Sequence, residues 1–200
     1  RDRKAAVEIT QRGKYVCSEK GSGTGFAWMR VEGTAIYSCY WRPGTSLAEF
    51  SSFLDDLSES VRLFGGDKVV VCGDFNAWNV EWGSRVSSRR GTLLSDFAWS
   101  LGLVLANRGS SPTFSRGEAS SIIDVTFFKS VEIRDWRVME EDSLSDHRYI
   151  SFVMVSHPEP QAVVDLALPA RFHPGWSVKG RDPLEFAGYV ESHPLNIECG

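Results

Sequence analysis

The sequence predicts an α/β domain in which a mixed β-sheet is covered by amphipathic helices. Residues 46–64 carry an apolar stripe with helical period. The apolar run 69–72, "VVVC", follows this helix and is typical of a strand buried on both faces. Residues 131–138 and 148–155 alternate polar and apolar side chains, as antiparallel strands with one exposed face do. A strand, a helix and a buried strand in succession build a sheet with helices on its faces.

The elements follow in order from this pattern. Candidate strands lie at 5–9, 26–31, 34–41, 68–72, 103–106, 122–128, 131–138 and 148–155. The helix at 46–64 starts with a capping box, in which the Ser46 hydroxyl and the Glu49 carboxylate each accept a backbone N–H. A second helix is predicted at 92–101, ended by Gly102.

Composition restricts the class of protein. At 200 residues, with 42% hydrophobic and 24% charged residues, the chain is long enough for one domain with a core. Six of the eight prolines lie beyond residue 155, so we expect a domain at 1–155 and a linker or tail at 156–200. No apolar run reaches the length of a membrane span, and the first residues are not a signal peptide. We therefore expect an intracellular protein without a membrane partner.

Charge and cysteine content are less decisive. The net charge of -4 does not favour a nucleic-acid binder, although Arg85, Arg89 and Arg90 form a local basic cluster. The four cysteines, Cys17, Cys39, Cys72 and Cys199, have no C-x-x-C spacing and are expected to be reduced core thiols, with a disulfide or zinc site as the alternative.

Acidic and amide side chains interrupt three apolar runs, "CGDFNAW", "SSIIDVTFF" and "SLSDHRYI". Asp124 stands between isoleucines and valine, where an unpaired charge costs several kcal/mol. His147 is the one histidine outside the tail and is its expected partner. Taken singly, Asp74 also fits a turn residue, and Asp124 or Asp146 a cap. The three motifs together favour a catalytic site.

The motifs "GDFNA", "IDVT" and "SDH", in this order, resemble the endonuclease/exonuclease/phosphatase superfamily, which includes DNase I-like nucleases. "SCYWRP", "WGS" and "SPTFSRGEASSIIDVTFF" resemble the endonuclease domain of non-LTR retrotransposons of the R1-like and Jockey-like branches. The resemblance covers residues 5–155, and "GWSVKGRDPLEF" resembles the connector before the reverse transcriptase. It implies a four-layer α/β sandwich, in which two packed mixed or antiparallel sheets are flanked by helices.

The resemblance also implies a role for each residue of the catalytic motifs. Asp74 would polarise the attacking water, and Asn76 would position this water and a phosphate oxygen. Tyr40 would donate a hydrogen bond to the scissile phosphate. His147, oriented by Asp124, would stabilise the charge that develops on the phosphoryl oxygens.

A divalent metal ion is part of what the resemblance implies. Asp146 would lie in the shell of a Mg²⁺ ion, for which Mn²⁺ can substitute. The family also carries an early Asn strand and a strand ending in Gln-Glu, and Glu8 has the wrong neighbours for that glutamate. We therefore expect an N-terminally truncated domain that lacks its first strands. It would have little or no nicking activity with magnesium.

Contacts to DNA are expected in the loops. Arg116 lies in a loop that resembles a hairpin entering the DNA minor groove, and Arg89 and Arg90 are candidates for phosphate contacts. For each arginine the alternative is a solvated surface charge. Trp78 and Trp82 are expected to pack the loop after "GDFNA", with base stacking as the alternative.

The function that the resemblance implies is nicking of double-stranded target DNA. The 3′-hydroxyl at the nick would prime a reverse transcriptase of the same polyprotein, in the nucleus, and the domain would act as a monomer. Two alternatives remain open. One is a phosphatase or phosphodiesterase of the same superfamily, and the other is a catalytically inactive DNA-binding remnant.

Overall fold

Ten strands and two α-helices make up the computed structural model, which describes residues 5–10, 14–64, 66, 68–141 and 143–155. The strands are β1 Cys17–Gly23, β2 Phe26–Val31, β3 Thr34–Tyr40, β4 Lys68–Asp74, β5 Val104–Leu105, β6 Phe114–Arg116, β7 Ala119–Ser121, β8 Asp124–Lys129, β9 Glu132–Val138 and β10 Ile150–Val155. The helices are α1 Leu47–Arg62 and α2 Arg89–Ser100, and a short 3-10 helix spans Val80–Trp82. The predicted tail, with Cys199, lies outside the described residues.

Six strands form the main sheet, in the order β1-β2-β3-β4-β8-β5. β3 and β4 are parallel, and the other neighbouring pairs are antiparallel. Helix α1 connects β3 to β4, as a crossover between parallel strands requires. The predicted α/β class with mixed sheets and flanking helices is confirmed.

Both helices pack on one face of this sheet. The capping box predicted at Ser46 is present at the start of α1. The aromatic and aliphatic side chains of α1 join those of β3, β4 and β8 in one core cluster. Tyr37 on β3 lies within hydrogen-bond distance of Ser60 on α1, 2.9 Å between the hydroxyl oxygens. Helix α2 starts at Arg89, three residues before the predicted start, because Ser88 caps it by accepting the Gly91 N–H.

The opposite face of the sheet carries the two-stranded sheet β9–β10. Trp136 of β9 is buried, and its indole N–H donates to the Thr126 hydroxyl on β8 at 3.0 Å. Val70 of β4 is buried on this second face, whereas the residues on either side of it point to the helices, as strand alternation requires. The site described below lies on this second face.

The predicted strand at 5–9 is wrong. These residues have no assigned strand, although exposed and half-buried side chains alternate along them. Both edges of β2 are already paired, one with β3 and the other with β1 at Cys17–Gly23, a strand that the sequence analysis missed. The apolar alternation at 5–9 therefore marks an extended segment in which every second side chain is half-buried. The free edge of β2 is paired with β1 instead.

The helices and the cysteines of the described residues bear on two expectations from composition. None of the helices in this part of the chain is both long and apolar enough to cross a membrane. Cys17, Cys39 and Cys72 are free thiols, as predicted. Cys39 is buried and Cys72 is half-buried, whereas Cys17 is exposed, so the expectation of a core position is wrong for Cys17.

Candidate active site

Three polar side chains form a row across neighbouring strands of the main sheet. Tyr40 at the end of β3 is opposite Asp74 at the end of β4, and Asp74 is opposite Asp124 at the start of β8. Residues that are opposite each other in a ladder point to the same face. Counting from Tyr37, which points to the helices, places all three side chains on the face that bears β9–β10.

His147 lies between the two aspartates. Its Nδ1 is 3.0 Å and 3.2 Å from the two carboxylate oxygens of Asp124, so the pair predicted from the sequence is present. Its Nε2 is 3.7 Å from Oδ2 of Asp74. The side chains of Asp74 and Asp124 are only 10% and 15% exposed, whereas that of His147 is 35% exposed. The hydrogen bond to Asp124 fixes Nδ1 as the donor and turns Nε2 toward Asp74.

Asn76 is held against Asp74 by two hydrogen bonds, and a third ties it to Trp41. Its backbone N–H donates to Oδ1 and its amide to Oδ2 of Asp74, both at 2.9 Å, and the amide also donates to the Trp41 carbonyl at 3.0 Å. Asn76 has a positive φ of 47°, a conformation that asparagine tolerates better than most residues. The sequence "DFN" therefore makes a tight turn that brings the amide back to the carboxylate.

The electrostatics of Asp74 follow from its position. The pKa of this carboxyl group is raised from 3.8 to about 6, chiefly by burial and also by the nearby Asp124 carboxylate. The Asn76 hydrogen bonds and His147 act in the opposite direction. An acid with a pKa near 6 is ionised at neutral pH and still accepts a proton readily.

Two residues that the sequence analysis missed hold Asp124 in place. The Thr113 hydroxyl is fully buried and accepts the backbone N–H groups of Ile123 and Asp124, both at 3.1 Å. The buried Asn107 amide donates to the Asp124 carbonyl at 3.1 Å, and its oxygen accepts the Thr126 N–H at 2.8 Å. Thr113 lies in "PTF" and Asn107 in "AN", and neither stretch has a periodic pattern that would have marked these residues as functional.

Asp146 contacts an arginine of the β6–β7 hairpin. Nε and Nη2 of Arg116 are 2.8 Å and 2.5 Å from Oδ2 of Asp146. The Arg116 side chain is 76% exposed. The predicted hairpin is thus present, and its arginine is paired with the carboxylate for which a metal role was expected.

The remaining candidate residues are two arginines and two tryptophans, which differ in contacts and exposure. Arg90 donates to the carbonyl oxygens of Arg42 and Thr45, which ties it to the turn before α1. Arg89, the first residue of α2, is exposed. Trp82 is buried and packs edge-on against Phe127 as expected, whereas Trp78 is 44% exposed.

The fit of a metal ion depends on the carboxylates. The described residues contain no group of three or more His, Cys, Asp or Glu side chains that could hold a metal ion. Mg²⁺ is commonly bound through one or two carboxylates, with waters and substrate phosphates completing the shell. Asp74 and Asp124 repel each other, and both Arg116 contacts of Asp146 use one oxygen. This donor set fits a cation that keeps most of its waters.

An aspartate with a nearby amide, a histidine oriented by a second aspartate and a tyrosine at the end of a neighbouring strand define the endonuclease/exonuclease/phosphatase class. Within that class, the model of the endonuclease-reverse transcriptase family matches residues 34–151. The match spans more than half of the chain, and the chain belongs to this family.

Solved structures with the same fold include one from a retrotransposon. The endonuclease domain of TRAS1, a telomere-specific non-LTR retrotransposon, is 30% identical, with a TM-score of 0.57. The match covers 64% of this chain and only 59% of that domain. No curated protein matches the chain.

Bacterial enzymes share the fold at lower identity. The 3′-5′ exonuclease NExo from Neisseria meningitidis is 16% identical, with a TM-score of 0.54, and the match covers 70% of this chain and 72% of that one. NExo described as a 3′ phosphatase, bound to a product DNA hairpin, is 15% identical, with a TM-score of 0.56 and coverage of 71% and 72%. These two likenesses concern the fold alone.

Proposed function

We propose that the chain is a metal-dependent DNA endonuclease of a non-LTR retrotransposon, which nicks double-stranded target DNA. The observation that carries the proposal is the placement of His147 between Asp124 and Asp74, with Nδ1 3.0 Å from one carboxylate and Nε2 3.7 Å from the other. Family membership and the TRAS1 likeness support a nuclease linked to reverse transcription.

The reaction would proceed by attack of water on the scissile phosphorus. Asp74 takes a proton from this water, and Asn76 holds the carboxylate and the water in line. The bond between phosphorus and the 3′-oxygen breaks, and the leaving oxygen takes up a proton from solvent, which gives a 3′-hydroxyl and a 5′-phosphate. In the imidazolium form of His147, Nδ1–H donates to Asp124 and Nε2–H donates to a phosphoryl oxygen, which stabilises the charge that develops there; Tyr40 donates to the same phosphate.

A divalent cation, Mg²⁺ or Mn²⁺, supplies positive charge at the scissile phosphate when bound. The residue we propose would hold it is Asp146, since both contacts from Arg116 are to only one of its carboxylate oxygens. The waters of the ion and the phosphate oxygens would complete its shell.

Partners follow from the same proposal. The DNA duplex would be contacted by Arg116 of the hairpin and by Arg89 at the start of α2, because both side chains are exposed cations. Arg90 is left out of this set because its guanidinium is tied to carbonyl oxygens. We propose that the 3′-hydroxyl at a nick in nuclear DNA primes the reverse transcriptase domain of the same polyprotein. One chain supplies the whole described site, which supports action as a monomer.

Relaxation of a supercoiled plasmid tests this function. The protein is used in excess over plasmid, in Mg²⁺ and in Mn²⁺, so that a slow reaction is measured. His147→Ala should lower the nicking rate roughly 10²-fold or more, as loss of an acid–base or charge-stabilising group does. Asp96→Asn, at an exposed position on α2, is the matched control and should nick like the unmodified chain.

The products separate the alternatives. Extension of the nicked strand by a DNA polymerase shows a 3′-hydroxyl, as proposed. Nicking by the histidine variant at the rate of the unmodified chain would contradict the proposal. Release of phosphate from a soluble inositol phosphate without DNA cleavage would favour a phosphatase. Salt-sensitive DNA binding without turnover in Mn²⁺ would favour an inactive DNA-binding remnant.

A further inference from the structure

The His147 segment docks on strand β6 of the hairpin through its backbone. Phe114 and His147 form an antiparallel β-bridge. The Ser115 N–H donates to the Asp146 carbonyl, and the Arg148 N–H donates to the Thr113 carbonyl, both at 2.8 Å. β6 therefore acts as the neighbouring strand for residues 146–148, on which the histidine is carried.

Side chains of the same strand contact the histidine and its neighbour. The Phe114 ring is edge-on to the imidazole, with 5.1 Å between ring centroids and 66° between planes. The Arg116 guanidinium pairs with the Asp146 carboxylate, which is adjacent in sequence to His147. The imidazole is thus flanked on one side by Asp124 and on another by Phe114.

Residues 113–116 also contact the other half of the catalytic pair. The Thr113 hydroxyl accepts the Asp124 N–H at 3.1 Å. Short-range serine hydrogen bonds also hold the described part of the 143–147 segment, such as the His147 N–H to the Ser145 hydroxyl at 3.2 Å. One four-residue stretch therefore contacts both members of the Asp124–His147 pair.

We propose, on the basis of the proposed function, that Phe114 and Arg116 are positioning residues for His147. Phe114 would act by direct ring contact, and Arg116 would act through Asp146. The hairpin that carries them also reaches outward, since Arg116 is 76% exposed. Contact of the hairpin with DNA would thereby be transmitted to the catalytic imidazole. An exposed ion pair of this kind adds little to stability, so its removal should leave the fold intact.

A kinetic experiment separates this proposal from a simple DNA contact. Arg116→Gln should lower kcat roughly tenfold because a small displacement of a catalytic group slows the chemical step. Arg116→Lys should recover part of this loss, since it keeps the charge beside Asp146. Arg134→Gln removes an exposed arginine that pairs with Glu132 on β9 and is the matched control. A change confined to KM would overturn the proposal and leave Arg116 as a groove contact only.

A spectroscopic experiment works without substrate or metal. The Nδ1–H proton of His147, donated to Asp124, is observed by NMR in protein labelled at histidine, and His147→Gln assigns the signal. Phe114→Leu and Arg116→Gln should broaden or shift this signal, whereas Arg134→Gln should leave it unchanged. An unaltered signal in both hairpin variants would overturn the proposal. This result is independent of DNA cleavage, so a failure of the proposed function is distinguishable from a failure of the positioning role.

Discussion

The carboxyl group of Asp74 should make the stability of the protein depend on pH in a specific direction. Its folded pKa is about 6 against a usual 3.8, because the side chain is 90% buried beside Asp124. Between these two values the folded chain binds the proton more tightly, so stability decreases as pH rises through 6. From pH 5 to pH 8 the folded state loses about 1.4 kcal/mol from this group, the equivalent of one pKa unit.

Asp74→Asn removes this titration and keeps the size of the side chain. The free energy of unfolding, measured with urea at pH 5 and pH 8, should fall between these values by about 1.4 kcal/mol more in the unmodified chain than in the variant. A constant cost from the altered hydrogen bonds to Asn76 cancels in this difference. Asp96→Asn, which changes an exposed carboxylate, should behave like the unmodified chain. Equal pH dependence with and without Asp74 would refute the burial argument.

Three further predictions concern the same region. The nicking rate should rise with pH through about 6 as Asp74 ionises; a rate that is flat across this range would exclude it as the proton acceptor. Gly73→Ala should destabilise the fold by about 1–3 kcal/mol in urea unfolding, because φ is 151° and a Cβ would lie 1.9 Å from the Cys39 carbonyl oxygen. An unchanged midpoint would show that β3 and β4 separate freely there. Asn107→Ala should cost about 2 kcal/mol or more, since two backbone groups of β8 lose their partner; native stability would mean that water replaces the amide.

The sequence predicted the elements whose signals are local. The capped start of α1 agrees with the structure because capping depends on neighbouring residues, and the predicted bounds of β2 agree as well. The predicted strand at 5–9 failed for a non-local reason: pairing depends on which sheet edge is open. β1, "CSEKGSG", is almost entirely exposed and carries no apolar alternation, so only its pairing with β2 identifies it.

The part of the candidate site that contains a buried charge was predictable from the sequence. An aspartate among isoleucines required a partner, and one histidine outside the tail supplied it. The supporting hydroxyl of Thr113 and amide of Asn107 are ordinary loop residues until the chain folds back on β8. The pairing of Asp146 with Arg116 was likewise hidden, since the two residues are 30 positions apart in sequence.

The register between β4 and β8 has a consequence for handling the protein. Asp124 is flanked by Ile123 and Val125, so a slip of one position would set a hydrocarbon opposite Asp74 and turn Phe127 out of the helix-facing core. A misaligned molecule would keep its strand content and lose the whole reactive centre at once. Specific activity after refolding would therefore measure the fraction of molecules with the correct strand register. Far-UV circular dichroism does not distinguish these molecules from misaligned ones.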